Sequence, residues 1–178
     1  LTAASQHDLF AFYYRLLKTV FPGLNLNFAL VDEANAQVIV PYYLAENSFL
    51  PQQRPMQKGL TEYTVRQNRT VWLKAADIEQ LHRDGEVELK FADLRQWLGT
   101  PLHDSQGKPF GVMSLFLIDE KTAFPNDAVE VMQIIAAQLS VALEHQKAKA
   151  ALMESEGRLS RAQAIAQVGN WEIVLGSG

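Results

Sequence analysis

The chain has 178 residues, of which 48% are hydrophobic and 20% are charged, and its formal net charge is −4. This composition is typical of a globular domain. The basic residues are scattered, so the concentrated positive surface that nucleic-acid binding needs is missing. No apolar run approaches the ~20 residues that span a bilayer. We therefore expect a cytoplasmic fragment that contacts neither nucleic acid nor membrane, and membrane attachment of a longer protein is left open.

The first part of the chain predicts a helix followed by a β-hairpin. Apolar residues recur at helical spacing over residues 9–20, which indicates an amphipathic helix. Residues 24–32 alternate as a strand, and residues 37–43 form the return strand. Pro41 cannot donate a ladder hydrogen bond, so we place this second strand at a sheet edge. Residues 45–57 read as a polar loop with two prolines.

The middle of the chain predicts a short helix over residues 59–68 and a short strand over 69–73. After an acidic connection that is part helix and part loop, residues 95–103 and 108–119 form a hairpin around a turn at 104–107. The last of these strands is apolar at both alternating sets of positions, with Phe110, Val112 and Phe116 in one set and Met113 and Leu115 in the other. Such a strand is covered on both faces. The predicted fold is therefore α+β, with a central antiparallel sheet of five to six strands and helices on both sides.

A long helix is predicted from about residue 127 to 167, because the segment has no proline and only one glycine. Its apolar residues keep a seven-residue step with one slip, which indicates a two-helix coiled coil that leaves the domain. The alternative is an amphipathic helix that folds back on its own sheet. A break at Gly169 and Asn170 is followed by a predicted strand over residues 171–175. The predicted dimer seam consists of Ala136, Leu139, Leu143, Gln146, Ala150 and Met153.

No catalytic or metal-binding pattern is present in the sequence. The four histidines are far apart, and the acidic stretch from His82 to Glu88 reads as a solvated loop rather than a cation site. Cysteine is absent, which excludes disulfides, thiolate nucleophiles and cysteine zinc sites. We therefore predict that this fragment is not an enzyme and holds no metal.

Aromatic residues are plentiful in the predicted strands and loops. Each one is explained by core packing, but together they fit a small-molecule pocket on one face of a sheet roofed by irregular segments. They are Phe28, Tyr42, Tyr43, Phe49, Tyr63, Trp72, Phe91 and Trp97.

Three stretches resemble GAF domains, over roughly residues 5–145. "GLTEYTVRQNRTVWL" is similar to their helix-then-strand segment, "WLGTPLHDSQGKPFGVMSLFLID" looks like their signature hairpin, and "AFPNDAVEVMQIIAAQLSVALEH" resembles their closing helix. The resemblance implies a GAF-like (profilin/PAS-like) fold with terminal helices on one face of the sheet and a ligand cavity on the other. By position, the implied ligand-binding residues are Phe28, Tyr43, Phe49, Tyr63, Trp72, Trp97, Gly99 and Met113.

The resemblance also limits the ligand. In the family this cavity takes cyclic nucleotides, linear tetrapyrroles, haem or small metabolites, and the cofactor of this chain is unknown. Without cysteine the chain cannot attach a bilin covalently, and it cannot be a GAF-type methionine sulfoxide reductase. The signature of the cyclic-GMP-binding phosphodiesterase branch is also missing, which argues against cyclic nucleotides.

The tail "LMESEGRLSRAQAIAQVGNWEIVL" looks like the entry to a PAS domain. The predicted organisation is a GAF sensor domain at 1–145, a coiled-coil linker at 146–168 and the beginning of a PAS domain at 169–178. Such chains are typical of bacterial signal transduction proteins, including two-component systems, that end in a histidine kinase or a cyclic-di-GMP enzyme such as a diguanylate cyclase. The predicted function is a small-molecule sensor that signals through a homodimeric helix. The alternative is a ligand-free dimerisation and scaffold module.

Overall fold

The computed structural model describes residues 3–41, 53–88, 93–119 and 122–175, and it describes side chains between residues 6 and 165 of these ranges. The elements in chain order are α1 (Ala3–Val20), β1 (Asn25–Asp32), β2 (Gln37–Ile39), β3 (Gln53–Pro55), α2 (Leu60–Gln67), β4 (Val71–Lys74), α3 (Ala75–Arg83), β5 (Gln96–His103), β6 (Pro109–Leu117) and α4 (Ala128–Leu175).

The six strands form one antiparallel sheet in the order β3-β2-β1-β6-β5-β4. This confirms the predicted α+β fold. The expected edge position of the second strand is wrong: β2 ends at Ile39, before Pro41, and lies between β1 and β3. Pro41 has no N–H for the ladder and so lies outside the strand. In the described sheet the edge strand on this side is β3, which lies within the stretch predicted as a loop.

Helices cover the sheet on both faces. On the first, which we call the α4 face, α1 and α4 pack over the central strands, and a core of 18 buried residues forms, including Phe10, Leu17, Phe28, Leu98, Leu102, Met113, Leu115, Met132 and Leu139. On the second, the α2 face, α2 and α3 bury a smaller core of Leu60, Val71, Ile78, Val87, Trp97 and Val112. The pleat sends alternate side chains of one strand to opposite cores, which is why β6 is apolar at nearly every position.

A β-bulge changes this alternation at the end of β6. Leu102 pairs with Gly111 and His103 pairs with Pro109, so Phe110 has no partner on β5. A bulge re-aims the extra side chain, and Phe110 packs against the α4-face core instead of following Val112 to the α2 face. The predicted grouping of Phe110 with Val112 and Phe116 is therefore wrong.

Helix α4 is one continuous helix of 48 residues. It packs on the sheet through Ala128, Met132, Leu139 and Leu143, and its described side chains beyond Leu143 are half-buried or exposed. The predicted break at residues 169–170 and strand over 171–175 are wrong, because the backbone is helical through Leu175. A helix satisfies its hydrogen bonds within its own segment, whereas a strand needs a neighbour. Of the helices that the structure describes, none combines the length and the hydropathy of a membrane span.

Alanine substitutions at two glycines would test the packing of this fold. A Cβ on Gly111 would lie 2.6 Å from the backbone oxygen of Ala29 on the adjacent strand, whereas a Cβ on Gly157 in α4 would meet nothing within 4 Å. We expect Gly111→Ala to lower the free energy of unfolding by about 2 kcal/mol, because the strands must move apart. Gly157→Ala should raise helix stability by about 0.5–1 kcal/mol, because alanine restricts the unfolded backbone.

Urea unfolding followed by circular dichroism measures both effects. Equal stability of Gly111→Ala and the wild-type protein would contradict the close approach of β1 and β6.

Candidate functional site

The centre of the α2 face is polar. Asn27 of β1 lies opposite Ser114 of β6 in the strand register, and both side chains are directed to this face. Ser114 is 1% exposed and its hydroxyl donates to the backbone oxygen of Asn27 at 3.5 Å, whereas Asn27 itself is half-buried. Polar groups on an otherwise apolar sheet face are the feature that orients a small-molecule ligand.

On the β3 side, this face is bounded by a buried ion pair. The two terminal nitrogens of the Arg54 guanidinium lie 2.6 and 3.0 Å from the two carboxylate oxygens of Glu62. The backbone N–H of Gln57 donates to the same carboxylate at 2.8 Å, and Glu62 is only 3% exposed. A bidentate pair of this kind fixes orientation as well as charge. It holds the edge strand β3 against the first turn of α2.

The environment of Glu62 keeps it ionised. Burial by itself raises the pKa of this carboxyl, but the hydrogen bonds from Arg54 and from the Gln57 backbone, with the Arg54 charge, outweigh burial and lower the pKa overall. The carboxylate also packs directly on Gly59, where a Cβ would lie 2.6 Å from its Oε2 atom. Residue 59 must therefore be very small for the ion pair to sit at the start of α2.

On the β5 side, the same face is filled by a second contact set. The Trp97 indole N–H donates to the hydroxyl of Thr64 at 3.2 Å, and that hydroxyl donates to the backbone oxygen of Leu60 at 2.8 Å. Gly99 makes this possible, because a Cβ there would lie 2.5 Å from the Trp97 indole nitrogen. The Trp97 ring also stacks on Phe116, with centroids 6.4 Å apart. These residues pack α2 on the sheet.

The structure divides the predicted ligand-binding residues between the two faces. It brings together Tyr63, Trp97 and Gly99 on the α2 face. Phe28 packs on Phe10 of α1 with ring centroids 5.2 Å apart, and Met113 lies in the same α4-face core.

Trp72 is 40% exposed and contacts Phe124. Its register opposite Leu98, whose side chain lies in the α4-face core, puts it on that side of the sheet as well. One cavity cannot be lined by all of these residues, because the pleat alternates their directions. Tyr43 and Phe49 lie outside the described residues.

Arg54, Glu62, Asn27 and Ser114 were not predicted from the sequence. Nothing in one sequence marks Arg54 and Glu62 as partners, because they are eight residues apart and β3 was not predicted. Asn27 and Ser114 come from distant strands and meet only through the sheet register.

The described residues were also searched for groups of side chains that could bind a metal ion. Within the described ranges, no group of three or more histidine, cysteine, aspartate or glutamate residues could hold a metal ion. His82 of the acidic stretch instead bonds the backbone oxygen of Val87 at 3.0 Å.

The chain was compared with known families and structures. A family model described as GAF domain matches residues 4–144. A search of curated proteins finds no match.

Three solved structures with the same fold are informative. A type II free methionine-R-sulfoxide reductase from Thermoplasma acidophilum is 16% identical, with a TM-score of 0.62 over 81% of this chain and 95% of that chain. The second GAF domain of DevS from Mycobacterium smegmatis is 15% identical, with a TM-score of 0.62 over 83% and 99%. A methyl-accepting chemotaxis protein fragment is 14% identical, with a TM-score of 0.59 over 78% and 86%. At these identities the likeness shows the fold alone.

We expect Arg54→Met to lower the free energy of unfolding by about 3–5 kcal/mol at neutral pH, because it leaves the Glu62 carboxylate buried without its counter-charge. The pKa of Glu62 is lowered in the folded wild-type protein. Its contribution is therefore present above the unfolded carboxyl pKa of about 4.3 and is lost as pH falls through the lower folded value. Protonation of Glu62 removes the unpaired buried charge in the variant. The difference in the free energy of unfolding between variant and wild type should therefore shrink as the solution is acidified.

Urea unfolding at several pH values measures this. The matched control is Arg83→Met, which removes an exposed pair with Glu79 at 4.0 Å and should cost under about 0.5 kcal/mol. Similar losses in both variants, or a loss at Arg54 that does not change with pH, would contradict the assigned role of the buried pair.

Proposed function

Because the chain belongs to the GAF domain family, we propose that it is a non-catalytic regulatory module that binds a small molecule on its α2 face and relays occupancy through a dimeric α4. We place it in a multidomain bacterial signalling protein with a histidine kinase or cyclic-di-GMP output. The signalling role is supported by the family, since similar GAF folds occur in DevS and in a methyl-accepting chemotaxis protein. The linker at 146–168 and the PAS beginning at 169–178 stay predictions.

The observation that carries ligand binding is the half-buried polar centre of the α2 face. Asn27 and Tyr63 remain partly accessible there, although Ser114 beside Asn27 is buried. The Arg54–Glu62 pair holds β3 against the first turn of α2, across the short segment of residues 56–59 that joins them. A rigid frame with a few accessible polar groups favours selective binding of a small molecule.

A regulatory rather than catalytic role is supported by the side chains available. One similar structure is a methionine-R-sulfoxide reductase. A chain without cysteine cannot reduce a sulfoxide through a thiol of its own. Glu62 is held by Arg54 and Gln57, which leaves it unsuited to proton transfer. The covalent bilin attachment that some GAF domains use is excluded on the same ground of missing cysteine.

The relay is supported by a second apolar stripe on α4, which we call the outer stripe. It consists of Ile134, Val141, Leu152 and Leu159, which are 57%, 68%, 60% and 62% exposed. At 3.6 residues per turn, steps of 7, 11 and 7 residues keep these side chains within roughly 20° of one line. That line lies almost opposite the residues of α4 that face the sheet. A helix that is apolar on two opposite sides is buried on two sides when its partners are present.

The outer stripe changes the predicted dimer seam. Ala136, Leu139 and Leu143 are 2%, 0% and 7% exposed and pack on their own sheet, so they are not accessible to a second chain. This first part of α4 packs on the sheet of its own chain. Gln146, Ala150 and Met153 of the predicted seam continue on the sheet-facing side, beyond the sheet contacts.

A second copy of the chain is the partner that the outer stripe fits. The stripe continues along the part of α4 beyond the sheet, where no other described element covers it, and a second long helix matches that length. A twofold pair brings identical stripes together. Helix α1 contacts α4 and has exposed apolar residues of its own that could join such an interface. They are Phe12, Leu16 and Val20, spaced four residues apart and 55%, 38% and 41% exposed.

A ligand-free scaffold is the second candidate function. It is favoured by one observation, which is that Trp97, Thr64 and Phe116 already fill the β5 side of the α2 face with satisfied contacts. In that case the dimer forms as proposed, and no small molecule stabilises the domain.

We expect the wild-type chain to be a dimer and Val141→Lys to be largely monomeric, because a charge in the outer stripe would be buried without a partner. Analytical ultracentrifugation over a concentration series measures this. Glu154→Lys is the matched control, since Glu154 is exposed on the other side of α4 and should leave the dimer intact. A wild-type protein that stays monomeric with α4 helical would contradict the dimeric relay.

Native mass spectrometry of the protein purified from cells, followed by a thermal-shift screen of metabolites, tests ligand binding. A ligand at 100 times its Kd stabilises the folded state by about 2.7 kcal/mol, which raises the melting temperature by several degrees. Asn27→Phe should abolish that rise by filling the polar centre, whereas Gln106→Phe in the exposed β5–β6 turn should not. A dimer without any stabilising ligand would favour the scaffold function instead.

A further inference from the structure

A cavity lies on the α4 face, at the place where α4 leaves the sheet. Its volume is about 560 Å³, within the range of small-molecule sites. The sheet side is lined by Leu30, Ile39 and Phe110, and α4 contributes Leu143, Gln146 and Ala150. The cavity opens on the face opposite to Trp97 and Ser114, so it is separate from the candidate site on the α2 face.

The apolar part of this cavity is formed by side chains that the fold leaves half-buried. Leu30 and Ile39 are partners across β1 and β2 and are both partly exposed. Phe110 joins them because the β-bulge between β5 and β6 turns its ring to this face. Leu143 is the last α4 residue in the core, and beyond it Gln146 and Ala150 line the cavity. A ligand here would cover apolar surface of Leu30, Ile39 and Phe110 that is partly exposed, which is favourable.

The charged groups around the cavity have an excess of negative charge. Four carboxylates, from Asp32, Glu33, Asp104 and Glu144, stand against the two ammonium groups of Lys108 and Lys147. Lys108 is held at 2.6 Å by Glu33, which leaves three carboxylates and one ammonium group.

Each of the three remaining carboxylates is oriented by the backbone. Asp32 accepts the N–H of Asn35, Asp104 accepts those of Gln106 and Lys108, and Glu144 accepts that of Ser105. A carboxylate has about four acceptor positions, so each retains capacity for a further donor. The Asn35 hydrogen bonds also lower the pKa of Asp32, so this group is ionised at neutral pH.

We propose that this cavity is a second ligand site, which takes an amphipathic organic cation with an aromatic or branched apolar body and an ammonium head group. The apolar body lies against Leu30 and Phe110, where the ring adds a favourable aromatic contact. The ammonium group lies among the carboxylates of Asp32, Asp104 and Glu144. Binding would occur directly beneath the first exposed turns of α4. Binding at this cavity does not depend on the proposed function. Only its consequence does, namely that the ligand would act on α4 as a second signal beside a ligand on the α2 face.

The experiment uses 2-phenylethylamine as the probe, and 3-phenylpropanoate as a matched anion with the same ring and a similar chain. Titrations of the ¹⁵N-labelled chain are followed by amide chemical shifts. We expect saturable shifts with the amine that centre on residues 30–33, 104–110 and 143–150. The anion should bind at least about tenfold more weakly, since that ratio corresponds to about 1.4 kcal/mol of charge discrimination.

Two variants and a control locate the site. Ala150→Phe should abolish amine binding by filling the cavity, and Glu144→Gln should weaken it about threefold to tenfold by removing one carboxylate. Ala151→Phe makes the same change one position along, at an exposed residue that does not line the cavity, and should bind like the wild-type protein. Circular dichroism confirms that each variant is folded.

Three results would overturn the proposal. The first is no saturable shift at millimolar amine, and the second is an anion that binds as tightly as the amine. The third is a set of shifts on Asn27, Ser114 and Trp97 instead, which would place the amine on the α2 face. Because the two faces report through different amides, failure of this site and failure of the α2-face site are distinguishable.

Discussion

The structure depends on the burial of β6 on both of its faces. This strand lies between β1 and β5 in the sheet, and six of its nine residues are buried, with Met113 and Leu115 in one core and Val112 in the other. Two-sided burial requires a layer of helices on each side. Because the strand is shared, the two helix layers are held on opposite faces of one sheet.

Each layer has a different chemical character as a result. The α4 face holds the larger and almost entirely apolar core. The α2 face is smaller and carries buried polar groups, namely Glu62, Thr64 and Ser114. Burying polar groups costs free energy unless they are paired, and each of them has a hydrogen-bond partner. The α4 face also buries two hydroxyls, those of Thr100 and Ser140, but among the described residues the buried ion pair lies on the α2 face. This charged pair distinguishes the candidate binding surface from the packing surface.

Helix α4 is where the two proposals meet. Its inner side contributes core residues up to Leu143, its outer stripe is free to meet a second chain, and its first turns beyond the sheet form one wall of the cavity on the α4 face. A ligand in that cavity and a partner on the outer stripe would therefore act on the same few turns of one helix. Since the helix is continuous through Leu175, a change in its angle at the exit from the sheet is carried along its length as a rigid-body motion.

Much of the fold was predictable from the sequence by itself. The periodicity of α1 and α4, the β5–β6 turn and the two-sided apolar pattern of β6 are local or near-local signals, and they predicted these four elements and the α+β sheet correctly. The residues of the candidate site were different. Arg54 meets Glu62, and Asn27 meets Ser114, only because the sheet register and the packing of α2 bring separate segments together.

The tertiary structure also decided which side of an element each residue occupies. The bulge turned Phe110 to the α4 face, and the pleat separated Phe28 and Met113 from Trp97, although all of these residues look alike in a list of apolar side chains. In α4, two apolar stripes run along one sequence, and only the position of the sheet shows which stripe is covered. Hydrophobic periodicity determines that a face will be buried, whereas the partner that buries it is set by contacts between segments distant in the chain.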